Sequence, residues 1–243
     1  KLIELRRIMD RENIAAYIIS GTDPHNSEYL PAPWQQRKWI SGFTGSYGTV
    51  VVTKNEAGLW TDTRYFIQAE KELAGSGIKL HKLRVPDAVD YPQWLVEVLE
   101  SGTKVGIDGF CMSVSDVRNL KNALSPKNIT IQKQIDLLGE MWFDRPALPV
   151  EKIIRLDTKY VGESAGERIG KIREFIRYNH GDAMLFSCLD EIAWLYNIRC
   201  NDIAYNPVAI SYAIVEKDKA HLFIKLDKIS QEIDQQLAED GIE

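Results

Sequence analysis

At 243 residues the chain has room for one large or two ordinary domains. Its 44 % hydrophobic and 27 % charged side chains are the composition of a globular protein rather than a disordered segment. A formal net charge of -5 argues against a nucleic-acid partner, which needs a clustered excess of Lys and Arg. Three cysteines, Cys111, Cys188 and Cys200, make neither a CxxC pair nor an even set, which points to reduced thiols in a cytoplasmic protein, and no apolar run approaches the roughly 20 residues of a membrane span.

In chain order, residues 1–12 place Leu2, Leu5, Ile8 and Met9 on one face of an amphipathic helix. Residues 14–19 form a buried strand, ended by Gly21, Asp23 and Pro24, and 25–30 begin a helical turn. A loop with Pro31, Pro33 and Trp34 leads into the densest stretch, residues 37–69. There Gly42, Gly45 and Gly48 recur at every third position before the β-branched run 49–53. Lys54, Asn55 and Glu56 carry turn chemistry and 57–60 is apolar again, so the pair is a β-hairpin. Asp62 or Thr61 then opens a helix over 62–74, with Tyr65, Phe66, Ala69 and Leu73 at helical spacing. Strands at 78–83, 105–107 and 129–135 alternate with helices at 91–99 and 115–124, which predicts a mixed sheet flanked by helices.

Residues 136–143 close this first domain, 1–143. The run Asp144-Arg145-Pro146-Ala147-Leu148-Pro149 holds the chain extended, so 144–150 is a linker. A second domain, 151–243, repeats the first: a helix at 166–179, a strand at 183–186, a helical segment at 189–195 whose Trp194 matches Trp39, and a second hairpin made of 208–215 and 220–224. Fewer than twenty residues follow that hairpin, against about eighty in the first copy. The second domain is therefore expected to be truncated, and the chain to be a piece of a longer protein.

Four histidines are available for metal chemistry. His25 and Glu28 have the spacing of neighbours on one helical turn, but no third ligand is evident; His81, His180 and His221 lack acidic neighbours in sequence. The spaced glycines precede a strand instead of joining a strand to a helix, so a phosphate-binding loop is not expected. Ser27, Ser41, Ser46 and Cys188 need an adjacent base before any could act as a nucleophile. Adjacent Asp190 and Glu191 diverge on a helix and suit its amino terminus. Arg64 gains nothing from the positive end of a helix dipole, so another group must hold it: Asp62, Glu28, or a face turned to another domain or subunit.

The blocks SGFTGSYGT and LWTDTRYFIQA, preceded by HNSEYL at 25–30, resemble the amino-terminal domain of Xaa-Pro aminopeptidases, members of the creatinase and prolidase superfamily. The LDEIAWLYNIR and NPV blocks extend the likeness to the three-domain enzymes, whose second domain resembles their first. The resemblance implies an α/β fold with two tandem creatinase N-terminal-like domains, the second incomplete. It also implies a parent hydrolase that removes the amino-terminal residue preceding proline, using two divalent ions, commonly manganese, held by a carboxy-terminal catalytic domain absent from this chain. On that basis no catalytic residue and no metal site are expected here. The implied partners are the chain's own catalytic domain, short proline-containing peptides and a second copy in a homodimer. His25, Glu28, Arg64 and Tyr65 are the candidates for a substrate-access or interface face. The alternative is a non-catalytic module of the same fold that binds peptides or proteins, distinguished by loss of the metal ligands downstream.

Overall fold

The hairpin expected at 49–60 lies inside a six-stranded sheet in the computed structural model, which describes residues 1–243. Contacts divide the chain into two units, Lys1–Pro146 and Ala147–Glu243. Unit one runs α1 (Leu2–Arg11), β1 (Ala16–Ile19), α2 (Gln36–Ser41), β2 (Thr49–Thr53), β3 (Ala57–Thr61), α3 (Phe66–Glu72), β4 (Lys79–Lys82), α4 (Tyr91–Val98), β5 (Lys104–Ile107), α5 (Val114–Leu124) and β6 (Thr130–Gln132). The strand order is β4-β3-β2-β1-β5-β6. Neighbours β1/β2 and β2/β3 are antiparallel, whereas β3/β4, β1/β5 and β5/β6 are parallel.

Strand alternation gives this sheet two buried faces. Tyr17, Ile19, Val50, Val52 and Leu59 pack with Leu5, Ile8 and Met9 of α1, Ile40 of α2 and Ala69 of α3. Ile18, Val51 and Trp60 point the other way and pack with Trp94 and Leu95 of α4 and Leu120 and Leu124 of α5. Each such side chain, fully withdrawn from water, contributes about 1.5–3 kcal/mol, so the two helical layers hold the sheet between them.

Unit two runs β7 (Ile154–Arg155), α6 (Thr158–Val161), α7 (Ala165–Tyr178), β8 (Ala183–Phe186), α8 (Leu189–Leu195), β9 (Ile198–Arg199), β10 (Ser211–Glu216), β11 (Ala220–Ile224) and α9 (Gln231–Glu239). α7 starts on a capping box in which Ser164 and Glu167 satisfy each other's backbone N–H groups. The main sheet is β11-β10-β8, antiparallel throughout, with a separate two-stranded ladder of β7 and β9. Ile242 bridges in parallel to Ala220. With β9 set aside, the order α7-β8-α8-β10-β11-α9-Ile242 therefore repeats α1-β1-α2-β2-β3-α3-β4, pairing directions included.

Three sequence expectations are corrected locally. The helix at 62–74 begins only at Phe66, because the Asp62 carboxylate accepts the Arg64 N–H at 3.1 Å while its carbonyl accepts the Tyr65 N–H, and this turns residues 62–65 out of helix. No helical turn forms at 25–30: Asp23 Oδ1 accepts the N–H groups of both His25 and Ser27 at 2.9 Å, and Asn26 sits at φ 54°. The strand at 129–135 shortens to Thr130–Gln132.

Candidate functional site

β1 sits between an antiparallel and a parallel neighbour, and the loops leaving the carboxyl ends of β1, β3 and β5 diverge there. The fold opens a crevice of about 440 Å³ at this place. Its walls are the turn after β1, the Gly-rich entry to β2, the turn after β3 and the amino-terminal ends of α4 and α5. Ser20 and Thr22 donate hydroxyl hydrogen bonds of 2.5 and 2.6 Å to the Cys111 carbonyl, tying the β1 exit to the β5 exit.

Arg37 braces the Gly-rich wall from behind. Carried on α2, it is buried, and its guanidinium donates to the carbonyls of Gly45 and Gly48 while lying 5.2 Å from the Phe43 ring centroid. Burial pushes it down to about 10, which leaves it charged at neutral pH. Gly42 ends α2 in the left-handed region, and a Cβ on Gly45 would lie 2.3 Å from Phe43 Cζ and 2.7 Å from Tyr65 Cδ1. The glycines thus serve a turn and a close aromatic approach, and sequence reasoning missed Arg37 because nothing local marks which carbonyls it will reach.

Of the four candidate residues, Glu28 and Arg64 line the crevice. Arg64 stands two residues before α3, outside the helix, and its guanidinium donates to both carboxylate oxygens of the buried Asp62, at 3.0 and 2.9 Å. It lies 5.1 Å from the Tyr65 ring centroid and 5.8 Å from that of Tyr47. Hydrogen bonding to Arg64 holds the Asp62 carboxyl below the usual carboxylate range. Tyr65 is a brace: its hydroxyl hydrogen-bonds that of Ser46 at 2.7 Å and its ring meets Phe43 edge-on at 5.9 Å. His25 is buried, edge-on to Trp34 at 6.4 Å, and does not reach the crevice lining.

Ser41 Oγ donates to the Arg37 carbonyl at 2.6 Å and accepts the Phe43 N–H, a helix-end role. The Cys188 thiol is raised by burial and by the Glu191 and Asp190 carboxylates, which disfavours the thiolate. Asp190 and Glu191 occupy the first turn of α8. His81 stacks on Trp60 at 4.0 Å, and burial lowers it toward the neutral form. His221 corrects the sequence expectation: strand pairing brings Glu216 and Glu243 each to 3.8 Å from its ring nitrogens. No group of three or more His, Cys, Asp or Glu side chains is placed to share a metal ion, and no helix is long and apolar enough to cross a membrane.

A mixed sheet under two helical layers, followed by a second copy of its first half, with a hydroxyl-lined crevice and no convergent ligand set, defines a tandem α/β scaffold. Residues 1–138 and residues 144–243 each match the Creatinase/Prolidase N-terminal domain, and the chain belongs to that family, as two tandem copies of the domain. It is 39 % identical over 248 residues to aminopeptidase P2 of Arabidopsis thaliana, a match covering 100 % of this chain and 35 % of that protein. With Xaa-Pro aminopeptidase 1 of Dictyostelium discoideum the identity is also 39 %, covering 98 % of this chain and 39 % of the relative. The crystal structure of an X-prolyl aminopeptidase from Caenorhabditis elegans, described as a cytosolic enzyme with a di-nuclear active site, superposes with a TM-score of 0.93 at 34 % identity, covering 99 % of this chain and 41 % of that one. The chain thus spans well under half the length of each.

Proposed function

We propose that this chain is the amino-terminal, non-catalytic region of a cytosolic, metal-dependent Xaa-Pro aminopeptidase, a hydrolase that removes the residue preceding proline. The observation that carries the reading is the superposition on the nematode enzyme, which accounts for 99 % of this chain and leaves more than half of that enzyme beyond it. In this reading the two metal ions, manganese in our proposal, are held by a carboxy-terminal catalytic domain. They would supply an activated water and stabilise the oxyanion of the scissile carbonyl there.

The two domains present wall the active site so that short peptides with proline in second position enter and longer or folded chains do not, and they support assembly of a homodimer. An exopeptidase needs such exclusion, and fixed walls provide it without chemistry of their own. Within the wall, the face carrying Glu28 and Arg64, with Tyr65 and His25 behind it, turns toward the catalytic domain or the partner copy. Arg64 suits this because Asp62 fixes its guanidinium while 56 % of its side chain remains open to solvent. The test is the full-length parent assayed on peptides with proline in second position, beside its Arg64→Ala variant. The reading expects turnover by the parent, and in the variant a raised KM or a weakened dimer. Unchanged kinetics and assembly would reject the role given to this face, and a parent without Xaa-Pro turnover would reject the enzyme assignment.

A further inference from the structure

Unit two buries a thiol, an amine and a carboxylate against one another. Cys200 follows β9, Asp202 stands two residues further on, and Lys228 ends the single 3-10 turn Leu226–Lys228 after β11. Cys200 is 4 %, Asp202 7 % and Lys228 2 % exposed. The Lys228 ammonium pairs with Asp202 Oδ1, and donates to the Glu151 carbonyl at 3.4 Å and to Cys200 Sγ at 3.8 Å. The Cys200 thiol in turn donates to the same Asp202 oxygen at 3.3 Å.

The ion pair accounts for a lysine and an aspartate withdrawn from water, since each neutralises the other. It gives no reason for a thiol at the lysine nitrogen. The other two cysteines are set differently: Cys111 meets Asp108 at 3.5 Å, and Cys188 is exposed beside Glu191 and Asp190. Cys200 thus has both partners that sulfur oxidation uses, a carboxylate to take its proton and an amine to attack the oxidised sulfur. Burial and the Asp202 contacts push the thiol up to about 11, so it stays protonated at rest. Lys228 also lines an apolar hollow of about 350 Å³ beside Leu148, Pro149, Tyr212 and Phe223, which gives a small oxidant a way in.

We infer that Cys200 and Lys228 form a peroxide-responsive pair that closes into a sulfur–nitrogen bridge, a sulfenamide. In the first step Cys200 Sγ attacks one oxygen of hydrogen peroxide while Asp202 relays the thiol proton. An S–O bond forms and the O–O bond breaks; sulfur is oxidised to the sulfenic acid, and the other oxygen is reduced and leaves as water. In the second step Lys228 hands a proton to Asp202, and its freed Nζ attacks the sulfur. An N–S bond forms, the S–O bond breaks, and the hydroxyl leaves as water with a second proton from nitrogen. The buried ammonium and carboxylate both end neutral, so closure removes two charges from the interior. The bridge joins the loop whose Asp202 holds the Ile210 N–H to the turn whose Lys228 carbonyl holds the Ile153 N–H, and a cross-link between them constrains the unfolded chain. An added thiol reopens it by attacking sulfur and releasing the amine.

The test exposes the 243-residue chain to hydrogen peroxide and maps it by proteolysis and mass spectrometry under non-reducing conditions. The inference expects a species joining the peptides that carry Cys200 and Lys228, its mass their sum less two hydrogens, lost on adding dithiothreitol. Lys228→Arg keeps a cation for Asp202 but does not close; there the joined species should vanish and Cys200 should take up dimedone, a trap for sulfenic acid. Peroxide should raise the urea midpoint of the wild type and leave that of Cys200→Ala unchanged. Three results in the wild type would overturn the inference: Cys200 left as a free thiol while the exposed Cys188 is oxidised, Cys200 oxidised without joining Lys228, or a joined species that retains an oxygen.

Discussion

A buried carboxylate and a half-exposed guanidinium meet at Asp62 and Arg64, and because the guanidinium stays charged throughout, the carboxylate sets the pH response. Asp62 has a lowered folded value, so its contribution is fully present above the unfolded carboxylate value of about 3.9 and is lost as pH falls through the lower folded one. In urea unfolding, the stability gap between the wild type and Asp62→Asn should therefore hold steady above about pH 5 and narrow on further acidification. A gap that widens toward acid would contradict the assignment. Arg37 works by the opposite arrangement, a cation withdrawn from water whose terminal nitrogens donate to backbone carbonyls while its Nε finds no partner, and it braces the Gly-rich entry to β2. In unit two, the buried Lys228 and Asp202 pair directly, and Asp202 Oδ2 also accepts the Ile210 N–H at 2.7 Å, which pins the loop entering β10.

At the scale of elements, the entry to β2 is set by the packing of Phe43 and Tyr65 over a residue that must have no side chain. Gly45→Ala should destabilise unit one by about 1–3 kcal/mol, since Phe43 is fully buried and has nowhere to move. A denaturation midpoint equal to wild type would show that the loop gives instead. The hairpin itself was legible in sequence, because a β-branched run, a three-residue polar turn and an apolar return are local signals that agree. So was the amphipathic α1, whose Leu5, Ile8 and Met9 are its buried residues. The start of α3 was not, since helical spacing from Tyr65 onward does not reveal that Asp62 will spend its carboxylate on the Arg64 N–H. The His25 turn failed for the same reason, with Asp23 as the competing acceptor. Arg37 beneath the glycines and the carboxylates around His221 depend on strand register, which local pattern does not carry.

Across the whole molecule, the repeat is what joins fold to function. Two copies of one supersecondary order give a scaffold in which no group of three or more His, Cys, Asp or Glu side chains is placed to share a metal ion. The candidate site was legible only in part: sequence named Glu28 and Arg64, which line the crevice, but the crevice itself arises from loops far apart in the chain. The blocks of the first copy carry the resemblance to the superfamily, and those of the second extend it to the three-domain enzymes.

The most direct measurement of the central claim is turnover by the purified 243-residue chain on a peptide with proline in second position, with and without added manganese, beside the full-length parent at equal molarity. The account predicts cleavage by the parent and none by the shorter chain under either condition. Manganese-dependent release of the amino-terminal residue by the 243-residue chain would contradict it.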